Sequence, residues 1–499
     1  MKRPNACVHA SLAVVLGAVI TALVVPAAAD PPAGHITNAE WLQKQGRPKF
    51  KAGHTLPMLT RKGWDLDFET QKEFAGHWGY CVQPEPYVDM KYVERFLDPD
   101  PPGRIASQED ALAARARALL ELVKSDPQTY KLCILTSREQ PPYDKASPET
   151  FARDAEGRLL TGQAKSQDGT VWTQGMDAVI SPFAPDSFWE ESGRLQAAAL
   201  KRLNEHYPIT IALNGGEYGQ ASAGWGTKVW RLDPRIVEAA NNLDWAKAAG
   251  DDVFGKFQLN DWAWAKLASI GLGRSQKLIA DQIRAALPDA MYIFYCAGGS
   301  PSRNQYAWWD VWQGHYEHSR GTCSLPTAQV YFKDFNSGWG GESDMPTMLL
   351  NARGEEIAGG EPLGYYWLCG GYKEMRPGDM CSDIPRYTGF LRFAYTAGMI
   401  GGNAGYYSFP DYGGPDQSAP TYVKGRRGFD AKFPADDPPH WLAQMAALGL
   451  VHAQFSHLEH YLRRGDLLAG PYVHCWSKDQ PAYELAPRGF EPDPATSVK

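Results

Sequence analysis

Ile209-Thr210-Ile211-Ala212-Leu213-Asn214-Gly215-Gly216-Glu217-Tyr218-Gly219 is the stretch on which the reading of this chain turns. Its β-branched, apolar start makes a buried strand, and the two glycines then let the backbone turn tightly beside a carboxylate. Outward from it, short apolar or aromatic runs alternate with longer segments of helical period. That is the pattern of βα units around a parallel sheet. Strands are expected over 74–82, 130–136, 178–182, 209–213, 291–295, 328–332, 363–368 and 404–409. Helices are expected over 107–124, 187–206, 256–287, 343–358 and 384–400. In the first of these, Leu112, Ala116, Leu119, Leu120 and Val123 form one apolar stripe behind a capped Ser107-Gln108-Glu109-Asp110 start.

Eight such strands suit closure into a single (β/α)8 TIM barrel with long βα loops and an extra amphipathic C-terminal helix over 440–464. No linker rich in Pro, Gly or Ser divides the region, and no glycine-rich phosphate turn follows the first strand, as a doubly wound sheet would carry. The expected organisation is a leader at 1–29, an irregular lead-in at 30–67, the barrel at 68–470 and a tail at 471–499.

In a barrel the chemistry sits where strands end. The first strand is followed by Gln83, Glu85 and Tyr87, the second by Ser137, Arg138 and Glu139, the fourth by Asn214, Glu217 and Tyr218. The sixth is followed by Lys333, Asp334 and Asn336, the seventh by Tyr372, Lys373 and Glu374, the eighth by Asp411 and Tyr412. On pattern alone, Glu217 is a catalytic carboxylate or a solvated turn residue with about equal weight.

A fourth strand ending in Asn and then Glu, in an aromatic-rich barrel, resembles the retaining glycoside hydrolases of the (β/α)8 clan A. The resemblance spans about residues 74–464 and implies Glu217 as acid/base, with Asn214 bonding a sugar hydroxyl. In that clan the two residues are adjacent, whereas here Gly215 and Gly216 separate them. It also implies a nucleophile ending the seventh strand. Glu374 is the nearest carboxylate there, with Asp334 and Asp411 as competitors. The physical demand is two carboxyls across the glycosidic bond, one of them protonated to release the leaving oxygen.

Sugar rings present an apolar face, so Trp78, Trp308, Trp309, Trp312 and Trp339 are candidate platforms, each competing with plain packing. Trp308, Trp309 and Trp312 share one loop, and so many rings in a loop need a reason to stay there. Lys333 and Arg138, with Lys373, either pair carboxylates or hold an acidic sugar. His315 and His318 match no metal spacing, no Cys/His cluster fits zinc, and neither metal nor cofactor is expected.

The first residues carry Lys2 and Arg3, an apolar run and Ala27-Ala28-Ala29, which together read as a cleavable secretory signal cut after Ala29. A secreted or periplasmic location without a membrane span follows as the expectation. Loss of Lys2 and Arg3 takes the formal net charge from −7 to −9, against nucleic acid or anionic lipid as a partner. The 17 Trp, 24 Tyr and 49 Gly make a chain rich in rings that fill a core or stack on a ligand, most of them packing; a carbohydrate substrate is what the resemblance implies, and oligomeric state stays open. Seven cysteines would remain after cleavage, an odd number. Cys133 and Cys296 are read as buried thiols and Cys369–Cys381 as a bridge. The expectation is an exported glycosidase. A non-catalytic carbohydrate-binding barrel, and a polysaccharide lyase using Tyr218 or Lys373 as base, are the alternatives.

Overall fold

A computed structural model describes residues 34–62, 66–84, 93, 97, 108–136, 149–160, 164–165, 171–172, 179–214, 229–250, 252–255, 257–294, 330–332, 364–370, 384–406, 432–465, 474–477 and 480–484. Its centre is a set of parallel strands. Ile209–Asn214 lies between Leu132–Thr136 and Met291–Phe294. A second sheet runs in the order Thr60–Lys62, Met399–Tyr406, Gly364–Gly370, Val330–Phe332.

The segment 80–82 joins the two sheets through parallel bridges from Leu59 to Tyr80 and from Val82 to Leu132. Four backbone bonds close that seam: Leu59 N–H to Gly79 and Cys81 N–H to Leu59, both at 2.8 Å, Val82 N–H to Lys131 at 2.7 Å, and Cys133 N–H to Val82 at 2.8 Å. The result is an unbroken parallel array, and at 132–135, 209–213 and 291–293 both its faces are apolar. Cys133, Leu135, Ile211, Leu213 and Ile293 belong to one core, while Leu132, Ile134, Ile209, Ala212 and Tyr292 belong to a second. Strands buried on both faces explain continuous apolar runs such as 209–213.

Several sequence expectations are corrected here. Residues 74–82 are not one strand, because Asp67 caps a helix, Phe68–His77, by accepting the Thr70 N–H at 2.8 Å. Phe74 sits on the buried face of that helix, Gly79 turns at φ 79°, and only 80–82 is extended. The lead-in is not irregular: it holds a capped helix, Asn38–Gln45, and the strand Thr60–Lys62. Residues 178–182 do not join the array. Ile180 pairs antiparallel with Phe151, outside the parallel sheets. The missed strand and the surplus one offset each other, so 209–214 keeps its ordinal place as the fourth parallel segment.

The helices Gln108–Ser125, Asp186–Asn204, Phe257–Ala286 and Ile384–Thr396 stand close to their expected spans, and 343–358 lies outside the described residues. The C-terminal helix is two, His440–Ser456 and Glu459–Arg464. The first is not amphipathic: Trp441, Leu442, Met445, Leu448, Val451 and Phe455 bury most of its girth. The expected tail contains an antiparallel pair, His474–Ser477 with Gln480–Glu484. Cys133 is buried, as read, and Cys81 is a buried free thiol. Cys296 and Cys381, and with Cys381 the proposed bridge, lie outside the described residues, as do 1–33. No described helix is long and apolar enough to cross a membrane.

Helices Asp186–Asn204 and Phe257–Ala286 approach most closely at Gly193, where an added Cβ would lie 2.8 Å from the Ile279 Cα. Backbone cannot yield cheaply, so Gly193→Val is expected to cost about 2–3 kcal/mol through overpacking. A lowered urea midpoint at unchanged m-value checks it.

Candidate functional site

The parallel strands bring their C-terminal ends to one edge, nearly flush. Thr136 stands opposite Asn214 and Asn214 opposite Phe294. Phe332 and Tyr406 both stand opposite Gly370. Most of the sequence candidates are tethered to that edge by a few residues of chain. Glu217 follows Asn214 by three residues, a reach of at most about 10 Å. Lys333 and Asp334 follow Phe332 directly, Glu374 follows Gly370 by four residues, Arg138 and Glu139 follow Thr136 closely, and Asp411 follows Tyr406 by five. These seven residues lie outside the described residues, as do Tyr218, Trp308, Trp309, Trp312 and Trp339. Asn214 itself ends its strand in register, as expected.

Below this edge the described interior is polar in one sector. The Tyr365 hydroxyl donates to the Met58 carbonyl at 2.8 Å and lies 3.0 Å from Thr60 Oγ1. Asn403 Nδ2 donates to the same Thr60 oxygen at 3.0 Å. All three residues are buried. Burial holds the Tyr365 hydroxyl far above its ordinary pKa, so it stays a neutral donor. Its ring occupies the place of a side chain on Gly401, whose added Cβ would sit 2.6 Å from it. Sequence patterning did not single out this sector, because Thr60 fell in the supposed lead-in and Gly401 and Asn403 ahead of the expected eighth strand.

Gln83, read as one of the polar residues after a strand, is buried and does another task. Its carboxamide accepts the Arg61 N–H at 3.0 Å and donates to the Arg61 carbonyl, replacing a strand partner where the ladder with 80–82 has ended. The Arg61 guanidinium returns a bond to the Gln83 carbonyl at 2.9 Å. Gln83→Leu leaves two buried backbone groups unpaired, with an expected loss of about 2–4 kcal/mol in chemical denaturation.

Trp78 is corrected as a sugar platform. It is fully enclosed, points its indole N–H at Glu73 Oε1 at 3.4 Å, and lies against Gly449 of the helix His440–Ser456.

Two insertions leave the same edge, between the strand at 132–136 and the helix at 186–204, and between the strand at 209–214 and the helix at 257–286. Ala152, Val179, Trp230, Ile236, Phe254 and Trp264 pack them into a third core. Asp233 binds them together. It caps the helix Pro234–Asn241, accepts the Arg153 N–H at 2.7 Å, and pairs with the Arg235 guanidinium at 2.7 Å. Burial pushes its pKa up, but the Arg235 guanidinium and the backbone N–H groups of Arg153 and Arg235 hold it below the usual carboxylate value. Asp233 is therefore a structural anion. Among the described residues no group of His, Cys, Asp and Glu is arranged to hold a metal.

No family model matches the chain, and no curated protein does. Among solved structures it is similar to a beta-galactosidase from Bacillus circulans sp. alkalophilus, at 13% identity over 81% of this chain and 57% of that one, with TM-score 0.40. It is similar to a beta-galactosidase from the psychrophilic Marinomonas ef1, at 14% identity over 78% and 58%, with TM-score 0.37. An exo-beta-agarase aligns at 10% identity over 75% and 50%, with TM-score 0.33. The chain thus spans between 50% and 58% of the length of these proteins.

Proposed function

We propose that the chain is an exported glycoside hydrolase acting on a poly- or oligosaccharide, built as a closed (β/α)8 barrel with its site at the C-terminal edge of the strands. The observation that carries the reading is the flush parallel edge, with Asn214 at the end of one strand and Phe332 and Gly370 at the ends of two others. Along the chain the strands run 209–214, 291–294, 330–332, 364–370, so closure between the second and third of these sets 209–214 and 364–370 three places apart around the ring. Splitting a glycosidic bond requires two carboxylates across it, and Glu217 and Glu374 or Asp334 follow the ends of these strands by two to four residues.

Glu217 is assigned as acid/base and Glu374 or Asp334 as its partner. Arg138, Glu139, Asn214, Tyr218, Lys333, Asp411 and the tryptophans at 308, 309, 312 and 339 are assigned to substrate binding. Export rests on the leader at 1–29, which also directs the choice toward substrates too large to enter a cell. The test is incubation of the chain from Asp30 onward with a panel of neutral and acidic polysaccharides. Release of reducing ends supports the reading. Products absorbing in the ultraviolet would replace it with the lyase, and binding without any product with the non-catalytic barrel.

A further inference from the structure

The strap at 47–57 leads straight into the strand Thr60–Lys62 and is bound along the two C-terminal helices. The Lys51 N–H donates to Ser456 Oγ at 2.9 Å, and the Thr55 N–H donates to Glu459 Oε2 at 2.9 Å. Arg463 bonds the Thr55 carbonyl at 3.3 Å, and the His457 ring lies 3.1 Å from the Lys49 carbonyl. At its centre Phe50 stacks on His54 at 5.3 Å, and His54 and His452 meet edge to face at 6.4 Å. His452 is fully enclosed, with Gly79 offering no side chain beside it.

The enclosure of His452 disfavours its charged form. The Tyr395 hydroxyl and His452 Nδ1 share a hydrogen bond, and burial keeps that hydroxyl protonated. The His452 Nε2 is buried with no hydrogen-bond partner among the described residues. A proton added to the ring would put a charge in a dry pocket, which enclosure disfavours. The charged or titratable groups facing this pocket are His54 from the strap, Glu459 from the last helix and Tyr395 from Ile384–Thr396, with His457 beside His54 and Tyr387 behind Tyr395. Glu459 is the one acid among them, and Thr55 and Arg463 already engage it.

We propose that residues 47–57 form an acid-released clasp, in which protonation of the His54–His452 pair detaches the strap from the C-terminal helices and loosens the strand that follows it. The proposal is independent of the hydrolase reading. Desolvation lowers His452 to about 3, below the 6.5 of a free imidazole. The detached state therefore binds more protons between those values, so attachment is complete above pH about 6.5 and weakens as pH falls. Glu459 acts in a lower window. Burial raises its pKa, but Thr55 and Arg463 outweigh this and bring it to about 2, so its contribution is whole above about 4.5 and is lost below that. Between about pH 6.5 and 4.5 the histidines act alone.

Hydrogen exchange of the Lys51 and Thr55 amides, corrected for intrinsic rate, reads the clasp directly. Across that window their protection is expected to fall by up to about tenfold per pH unit, while amides of Leu132–Thr136 and Ile209–Asn214 hold theirs. In His452→Gln the fall should shrink to the part that His54 carries. Should that variant fail to fold, His54→Gln, on the partly exposed strap, is expected to halve the slope or more. Constant protection in the parent protein, or an equal fall in the folded variant, overturns the proposal.

Discussion

Glu217→Gln should lower turnover of a natural oligosaccharide by about 10³-fold, within the range for loss of a positioned general acid, while folding and ligand affinity stay close to the parent values. Gln keeps the volume and one hydrogen-bonding oxygen but has no proton to give a departing sugar oxygen. The loss should fall on kcat, because the acid acts as the bond breaks and contributes little to binding the intact chain. Leaving-group dependence sharpens the assignment. An aryl glycoside whose phenol departs without protonation should lose far less in its first step than the natural substrate. Removing the partner carboxylate should cripple both substrates alike. Glu374→Gln and Asp334→Asn, run beside Glu217→Gln on the two substrates, therefore decide which carboxylate is the partner. Full activity of Glu217→Gln on a natural oligosaccharide would sink the assignment.

The strand at 209–214 was legible because nothing competes for its interpretation: it is β-branched, apolar on both faces and stopped by glycines. The helices at 108–125, 186–204 and 257–286 were legible through their periodicity. Three regions misled for separate physical reasons. At 74–82 the aromatic run has strand propensity, yet Asp67 supplies a cap and Phe74 falls on a helical face, and the cap decides. At 60–62 the strand is Thr-Arg-Lys, polar in sequence, and its burial is made possible by partners remote in the chain, Asn403, Tyr365 and Gln83. No local pattern carries such information. At 179–182 the apolar run is genuine, but Val179 serves a core between two insertions and Ile180 packs into the second core while its backbone pairs with Phe151 outside the array. The site was legible only as a list of polar residues after strands. The structure supplies a common edge for the strands that these residues follow, and it removes Gln83 and Trp78 from the list.

The removal of Trp78 leads to the largest effect on stability. Trp78→Ala is expected to cost about 3–5 kcal/mol, the range for deleting a large aromatic from a closed core. Phe74 and the Trp78 ring meet edge to face at 6.3 Å, Phe74 and Tyr80 at 5.1 Å, and Tyr80 reaches the Met445 carbonyl at 2.9 Å. The ring therefore ties the helix Phe68–His77 to the helix His440–Ser456 across the seam at 80–82. Gly449 shows how little room there is, since even a methyl group at that position would come within 2.8 Å of the Trp78 carbonyl. Relaxation from the helix side can fill only part of the void, which puts the cost in the upper half of the range. Glu73 loses its indole donor as well but keeps Arg47 through bonds of 3.0 and 2.9 Å, so no bare carboxylate is left behind. A sugar platform would behave in the opposite way, with weakened binding and unchanged stability. Urea unfolding combined with saccharide affinity of the folded fraction separates the two. A stable Trp78→Ala that binds saccharide poorly would return the residue to the site, whereas a large drop in midpoint with unchanged affinity fixes it in the core.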